Sequence, residues 1–380
     1  MCIRDSIHSA RLVDDGEVTD DAWVAFADGV VLHAGTGDEW RALPAGDAID
    51  AAGAYLTPGF VDIHGHGGGG GTYDHGLDAI AAARAVHLAR GTTRAVLSLV
   101  TASIDDLAAQ VRMIADLSER DATILGTHLE GPFLDPGHKG AHTESLLRAP
   151  DEAAVARLVE GGRGTVRQVT LAPELPGGLA ATAQFVAAGV AVAVGHTNAT
   201  EAEASAAFDA GATLLTHAFN AMPGIHHRAP GPVVAAMRDE RVTLELIADG
   251  IHVHPDVIAL AFAGAPGRIA LITDAMGAAG EPDGAYELGG LAVTVTDGVA
   301  RLDEGGAIAG STLTQDAALR LVVAGGLPLA DAVAALTSVP ARAIGLAGRY
   351  GSLRPGAAAD AVLLDDALQV AGVWVDGARV

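Results

Sequence analysis

Imidazoles and carboxylates recur at one kind of place in this chain: where a short apolar run ends. Asp62-Ile63-His64-Gly65-His66 closes one run and His128-Leu129-Glu130-Gly131-Pro132 another, and Gly195-His196, Thr216-His217 and Thr273-Asp274 close three more. Imidazole nitrogen and carboxylate oxygen are the donors that hold divalent first-row metals, and such ions make water nucleophilic near neutral pH. Each residue also has a plain structural reading. A histidine after a buried strand is commonly a hydrogen-bonded core residue, Glu130 before Gly-Pro can cap the next segment, and Asp274 can be an N-cap. His64 and His66 alternate along an extended segment, so their side chains point the same way, although His-x-His alone is a weak signal. Their shared position at run ends is what argues for a single site.

The elements that would have to bring these residues together can be read from the pattern between them. Strand-like runs at 55–64, 94–100, 123–130, 166–172, 190–196, 213–217, 243–249 and 269–274 alternate with Ala-rich helical stretches. Continuous apolar runs separated by helical segments read as parallel strands buried on both faces. Eight such units predict an α/β fold of the (β/α)₈ barrel type, whose chemistry sits at the strand ends. Residues 286–302 break the alternation and read as an inserted hairpin, with 288–295 and Val299–Leu302 flanking Asp297-Gly298. Both ends of the chain are β-rich, with runs at 7–13, 23–27, 30–34, Ala361–Leu364 and Val370–Val375. Neither end alone has enough strands to bury a face, so residues 1–54 and 350–380 are expected to form one small β-sandwich domain around a barrel of 55–349. Residues 1–6 show no periodicity; the readable pattern begins at Ile7, which suggests a non-native start. The glycines at 67–71 lack the Lys-Ser/Thr of a phosphate-binding loop and read as a flexible loop at the mouth of the site.

Composition narrows the function classes. The 380 residues carry 23 Lys+Arg against 47 Asp+Glu, a formal charge of −24, which disfavours nucleic acid and anionic membrane as partners. No apolar stretch approaches a membrane span and no leader pattern opens the chain, so a cytoplasmic protein is expected. With Cys2 the single cysteine, an intrachain disulfide and a thiolate cluster are excluded, whereas 15 histidines leave nitrogen and oxygen ligation open.

At this point the chain resembles the N-acetylglucosamine-6-phosphate deacetylase family of the amidohydrolase superfamily along nearly its whole length. The resemblance rests on Pro58-Gly59-Phe60-Val61-Asp62, His128-Leu129-Glu130-Gly131-Pro132, Lys139-Gly140-Ala141-His142 and Gly195-His196-Thr197-Asn198-Ala199-Thr200. It continues through His217-Ala218-Phe219-Asn220-Ala221-Met222, Asp249-Gly250-Ile251-His252, Thr273-Asp274-Ala275 and Ala309-Gly310-Ser311. The resemblance implies a divalent metal on Glu130, His196 and His217, with Zn²⁺ first and Fe²⁺, Mn²⁺ or Co²⁺ as alternatives. It implies Asp274 as the catalytic acid/base, His142 as a hydrogen-bond donor to the reacting carbonyl, and a homodimer. Around the substrate it places Ala141, His142, Asn220, Ala221, Arg228, His252, Ile308, Ala309, Gly310 and Ser311. Members differ at the first strand; this chain keeps His64 and His66, so one or two ions per chain are expected.

The implied reaction is hydrolysis of N-acetyl-D-glucosamine 6-phosphate to glucosamine 6-phosphate and acetate. Lys139 is the only lysine and follows Glu130 by nine residues, in a loop rather than at a strand end. That weakens readings in which a carboxylated lysine bridges two metals and leaves Glu130 as the bridge. Arg228, His226, His227 and His252 are the available donors for a phosphate, arginine being suited to it by its two-pronged guanidinium. The alternatives are another N-acetyl hexosamine phosphate such as the galactosamine isomer, an N-acyl amino acid, or a non-catalytic sugar-phosphate binder. Intact Glu130, His196, His217 and Asp274 argue against the last.

Overall fold

The computed structural model describes residues 3–43 and 45–380. Eight short strands lie side by side in chain order, and we number them β1 (Phe60–Asp62), β2 (Thr92–Val100), β3 (Ile124–Glu130), β4 (Val166–Leu171), β5 (Ala191–Val194), β6 (Leu214–Leu215), β7 (Thr243–Ile247) and β8 (Ile269–Ile272). The pairings from β2 to β8 are all parallel. Just past the last strand, the Asp274 N–H donates to the His64 carbonyl at 2.8 Å, which closes the ring between the two ends of the sheet. The barrel expected from the β/α alternation is therefore present. A helix follows each strand along the chain, and several begin at the polar residue that stops the preceding loop. Ser103 and Asp151 accept from the backbone N–H groups of Asp106 and Ala154, and Thr200 forms a reciprocal capping box with Glu203.

The strands are buried along nearly their whole length, only Arg167 and Ala191 being partly exposed, but their inward positions are not uniformly apolar. His128, Glu130, Gln168, Thr170 and Glu245 are all buried among the Leu and Val of β3, β4 and β7. Apart from Gln168 Oε1, which has no hydrogen-bond partner among the described residues, these polar side chains find partners in the same layer. Ser98 Oγ lies 2.8 Å from His128 Nδ1, Thr170 Oγ1 lies 2.8 Å from His128 Nε2, and Thr216 Oγ1 lies 2.8 Å from Thr170 Oγ1. A buried polar layer is tolerated only when paired in this way, because an unmade hydrogen bond in the interior costs about 1–3 kcal/mol.

Three expectations need correction. The run at 55–64 is not one strand. Tyr55–Pro58 pairs antiparallel with Ala361–Leu364, and the chain then passes through Gly59 into β1. A Cβ at Gly59 would lie 2.2 Å from Thr93 Oγ1, so the break is built around that close approach. The insertion is three strands rather than a hairpin: Gly284–Leu288, Leu291–Thr296 and Val299–Leu302, with Gly289-Gly290 turning within the run read as 288–295. The glycines at 67–71 are a packed hairpin, not a flexible loop. Gly67 pairs with Thr72 and Gly68 with Gly71 around Gly69 and Gly70, whose φ of 58° and 78° suit a tight turn. A Cβ at Gly67 would lie 2.2 Å from the Gly71 carbonyl oxygen, which leaves room for glycine alone.

Both termini contribute to a second sheet, as their β-rich composition predicts. Its strands are Ile3–Asp14, Glu17–Ala27, Val30–Thr36, Ala45–Asp50, Tyr55–Pro58, Ala361–Leu364, Val370–Val375 and Ala378–Arg379, joined by hydrogen bonds in one sheet. Ile7, Val24, Phe26, Leu56 and Trp374 form its apolar core. Regular pairing begins before Ile7, with Asp5 opposite Phe26 and Ser6 opposite Ala25; Met1 and Cys2 lie outside the described residues. By internal packing the chain divides into two compact units, Met1–Asp62 with His87–Arg94 and Gln315–Val380, and Ile63–Val86 with Ala95–Thr314. Every candidate site residue belongs to the second unit.

Candidate active site

Three of the candidate residues sit where the chain leaves a strand with a left-handed backbone: His196, His217 and Asp274, with φ of 46°, 26° and 48°. Side-chain-bearing residues rarely adopt this region, and holding one there costs on the order of 1–3 kcal/mol, a strain that clusters at functional sites. Here the bend follows strand 5, strand 6 and strand 8 at the same rim. Their side chains meet Glu130, the last residue of β3, and the two histidines that continue β1.

Glu130 is the hub of this cluster. Its Oε1 lies 3.2 Å from the Nε2 atoms of His64, His196 and His217, and its Oε2 lies 3.0 Å from His66 Nε2 and 3.5 Å from His142 Nε2. Asp274 Oδ1 lies 3.2 Å from His66 Nε2 and 3.6 Å from His64 Nε2. His196 and His217 bring their Nε2 atoms to 3.0 Å from each other. All seven residues are buried. Two groups of ligand-type atoms result, one of His64, His66, Glu130 and Asp274 and one of Glu130, His142 and His196, with Glu130 in both.

The hydrogen bonds behind the rings decide what each nitrogen offers. His196 Nδ1 lies 2.8 Å from the His138 carbonyl, which can only accept, so Nδ1 carries a proton and Nε2 is the nitrogen turned to Glu130. His64 Nδ1 likewise lies 3.0 Å from the Glu245 carboxylate, and its Nε2 faces Glu130. Bare nitrogens aimed at carboxylate oxygens and at each other repel unless a cation or protons lie among them, so the donor set suits a divalent metal. His142 differs. Its Nδ1 accepts from the Thr101 N–H at 3.4 Å and lies 2.8 Å from Thr101 Oγ1, which leaves the proton on Nε2, facing the cavity. Distance alone would count it a ligand; its tautomer makes it a donor. His128, with both ring nitrogens engaged, supports the cluster from below.

The same charges appear in the proton affinities. Burial pushes the Asp274 carboxyl up, but the positive His64 and the hydrogen bond from His66 outweigh it and hold it at about 2. Burial likewise opposes ionisation of Glu130, yet His64 and the bonds from His142, His196 and His217 keep it well below the usual carboxylate range. Burial disfavours a proton on His66, and hydrogen bonds to Asp274 and Glu130 nevertheless raise it to about 9; His64 is raised too, against burial, chiefly by Glu130 and Asp274. Burial dominates at His142 and lowers it to about 4. Two buried carboxylates that draw protons onto their neighbours would draw a metal cation in the same way.

The cluster forms one wall of a cavity of about 330 Å³. Ala141, His142, Asn220, Ala221, His252, Ile308 and Gly310, seven of the ten residues that the resemblance places around the substrate, line it, and Val100, Ile247 and Leu288 add apolar surface. His252 is held by Asp249, whose Oδ2 lies 2.6 Å from its Nδ1; burial works against its protonation, but Asp249 raises it overall. Ala309 and Ser311 stand behind the wall rather than on it. Ser311 donates from Oγ to the Thr273 carbonyl at 2.6 Å and from its N–H to the Asp274 carbonyl at 2.7 Å, fixing the turn that presents Asp274. Arg228 is not among the lining residues; it is exposed in a loop with its Nη1 2.7 Å from His227 Nε2. Lys139 Nζ donates to the His142 carbonyl at 3.4 Å. Sequence reasoning missed Thr101, Gln168 and Glu245. The visible signal for Glu245 was a carboxylate in the middle of the apolar Thr243–Ile247 strand.

Residues 55–380 match the amidohydrolase family. An N-acetylgalactosamine-6-phosphate deacetylase of Escherichia coli O157:H7 is 40% identical over 98% of both chains. An N-acetylglucosamine-6-phosphate deacetylase of Vibrio furnissii is 36% identical over 88% of this chain and 85% of its own. The structure of an N-acetyl-D-glucosamine-6-phosphate deacetylase from Mycobacterium smegmatis, an aspartate-to-alanine variant in complex with N-acetyl-D-glucosamine-6-phosphate, superposes with a TM-score of 0.93 at 44% identity over 98% of both chains.

Proposed function

The chain belongs to the amidohydrolase family, and from that premise we propose that it hydrolyses N-acetyl-D-glucosamine 6-phosphate to D-glucosamine 6-phosphate and acetate. The observation that carries the reading is Glu130 among five imidazoles beside an ionised Asp274 at the wall of a sugar-sized cavity. Relatives named for both the glucosamine and the galactosamine isomer keep the second epimer as the alternative substrate. We assign Glu130, His196 and His217 to one divalent ion and His64 and His66, sharing Glu130, to a second. Zn²⁺ is our first choice, with Fe²⁺, Mn²⁺ or Co²⁺ as alternatives. When bound, such an ion supplies Lewis-acid polarisation of the acetamide and activation of water.

The protein's own groups do the rest. Asp274, ionised at neutral pH, takes a proton from the attacking water as the oxygen bonds to the acetyl carbon, and delivers it to nitrogen as the C–N bond breaks. Positioned proton transfer of this kind contributes about 10²–10⁴ in rate. His142 Nε2–H donates to the carbonyl oxygen as charge develops there, and as a neutral donor it keeps this role across the working pH range. Val100, Ile247, Leu288 and Ile308 exclude bulk water from the amide. His252, kept basic by Asp249, and Arg228 are assigned to the phosphate. We further propose a cytoplasmic homodimer in which residues 1–54 with 350–380, joined by the Tyr55–Pro58 strand, form the small domain and the rest of 55–349 the catalytic barrel. No helix among the described residues is long and apolar enough to cross a membrane. The test is acetate release from a panel of N-acetylated hexosamines, with and without 6-phosphate and in both epimers, with metal content measured on the same sample. Preference for an unphosphorylated or amino-acid amide refutes the substrate assignment.

A further inference from the structure

Glu245 is a fully buried carboxylate that no step of the proposed reaction uses. It stands in the middle of β7 and its oxygens meet three partners, Gln168 of β4 and, just past the ends of β1 and β6, His64 and His217. Oε2 lies 3.0 Å from His64 Nδ1 and accepts from the His217 backbone N–H at 3.4 Å, and Oε1 accepts from Gln168 Nε2 at 2.6 Å. The Gln168 amide is oriented by this bond, since the flipped amide would set its oxygen against a carboxylate oxygen. Its own Oε1 has no hydrogen-bond partner among the described residues. A buried glutamine that leaves one atom unsatisfied in order to hold a buried carboxylate is an expensive arrangement, and its effect is exerted on the two histidines that Glu245 touches.

We propose that Glu245, held by Gln168, is a positioning residue: it sets His64 with Nε2 toward Glu130 and Asp274 and anchors the main chain of His217, so its charge governs how tightly the ion held by His64 and His66 is bound. The physical basis is general. A carboxylate on the far nitrogen of an imidazole fixes the ring's tautomer and orientation and raises the basicity of the near nitrogen, and removing it typically weakens metal binding about 10–100-fold. The proposal rests on the metal-centre reading of the site but not on the identity of the substrate.

Metal-depleted wild type and Glu245→Gln are titrated with Co²⁺, followed by visible absorption, and with Zn²⁺ in competition with a chelator. The glutamine keeps the shape and, with Gln168 turned over, the hydrogen bonds, so only the charge is removed. The expected result is two ions in both proteins, the weaker bound about 10–100-fold less tightly in Glu245→Gln, the tighter within about threefold of wild type, and Glu245→Asp between the two. Coincident curves for wild type and Glu245→Gln, each with two ions, overturn this inference and leave the proposed reaction standing. A wild type that takes one ion under all conditions overturns it together with the second-ion assignment. Should Glu245→Gln fail to fold, Gln168→Met decides the matter: weakening of the second ion supports the relay, and unchanged affinity overturns it.

Discussion

Replacing Asp274 with Asn removes one proton acceptor while keeping the shape of the side chain, and the structure sets the size of the effect. The carboxyl is held at about 2, so at pH 7 essentially every molecule carries it ionised and the base is fully available. Among the described residues lining the cavity the other carboxylate is Glu130, which is surrounded by five imidazole nitrogens at 3.0–3.5 Å and has no open side from which to take a proton. No neighbour can stand in. The whole contribution of the positioned base should therefore be lost, a fall in kcat of about 10²–10⁴. KM should stay within a few-fold, because the sugar and phosphate contacts lie on other residues, and the ion on Glu130, His196 and His217 should be retained. The assay is steady-state acetate release alongside metal analysis and thermal denaturation of the same preparation. Turnover within about threefold of wild type, with metal and stability unchanged, would show that Asp274 is not the proton carrier.

Three further outcomes are expected. Changing His64 and His66 together to Ala should abolish uptake of the second ion while the first persists; equal stoichiometry in metal-supplemented wild type and variant would reduce both to structural roles. The metal-free protein should be sensitive to alkali. His66 has its folded value raised from 6.5 to about 9, so its contribution to stability is fully present below pH 6.5 and is lost as pH rises through about 9, and the melting temperature of chelator-treated protein should fall across that window. A flat profile, or a rise, would contradict the electrostatics drawn for Glu130 and Asp274. Finally, Arg228→Ala should raise KM for the phosphorylated sugar by roughly 10–100-fold or more and hardly alter the poor activity on unphosphorylated N-acetylglucosamine, since hydrogen bonds to charged groups contribute about 1.5–3 kcal/mol each. Equal loss on both substrates would remove Arg228 from the phosphate.

The alternation of apolar runs with Ala-rich stretches was enough to foresee the barrel, because strands buried on both faces and the helices between them are encoded in local hydrophobicity. The run ends were enough to nominate Glu130, His196, His217, Asp274 and the His64/His66 pair, since in a parallel barrel all such ends share one rim. Where the local signal was ambiguous it misled. The break at Gly59 and the packing of the glycines at 67–71 depend on neighbours that periodicity does not reveal: Thr93 against Gly59, and for Gly67 the Gly71 carbonyl opposite. The deeper parts of the site were invisible for the same reason. Glu245 reaches His64 across 181 positions and Gln168 across 77, and in sequence each is merely a polar residue inside an apolar strand. Nor does sequence reveal that the Thr101 bond turns His142 into a donor, or that Arg228 lies on an exposed loop off the cavity wall. The amino-acid sequence by itself determined which residue types stand at the strand ends, because that is a property of single segments. Only the tertiary structure decided which nitrogen of each imidazole faces Glu130, because that depends on hydrogen-bond partners far away in the chain.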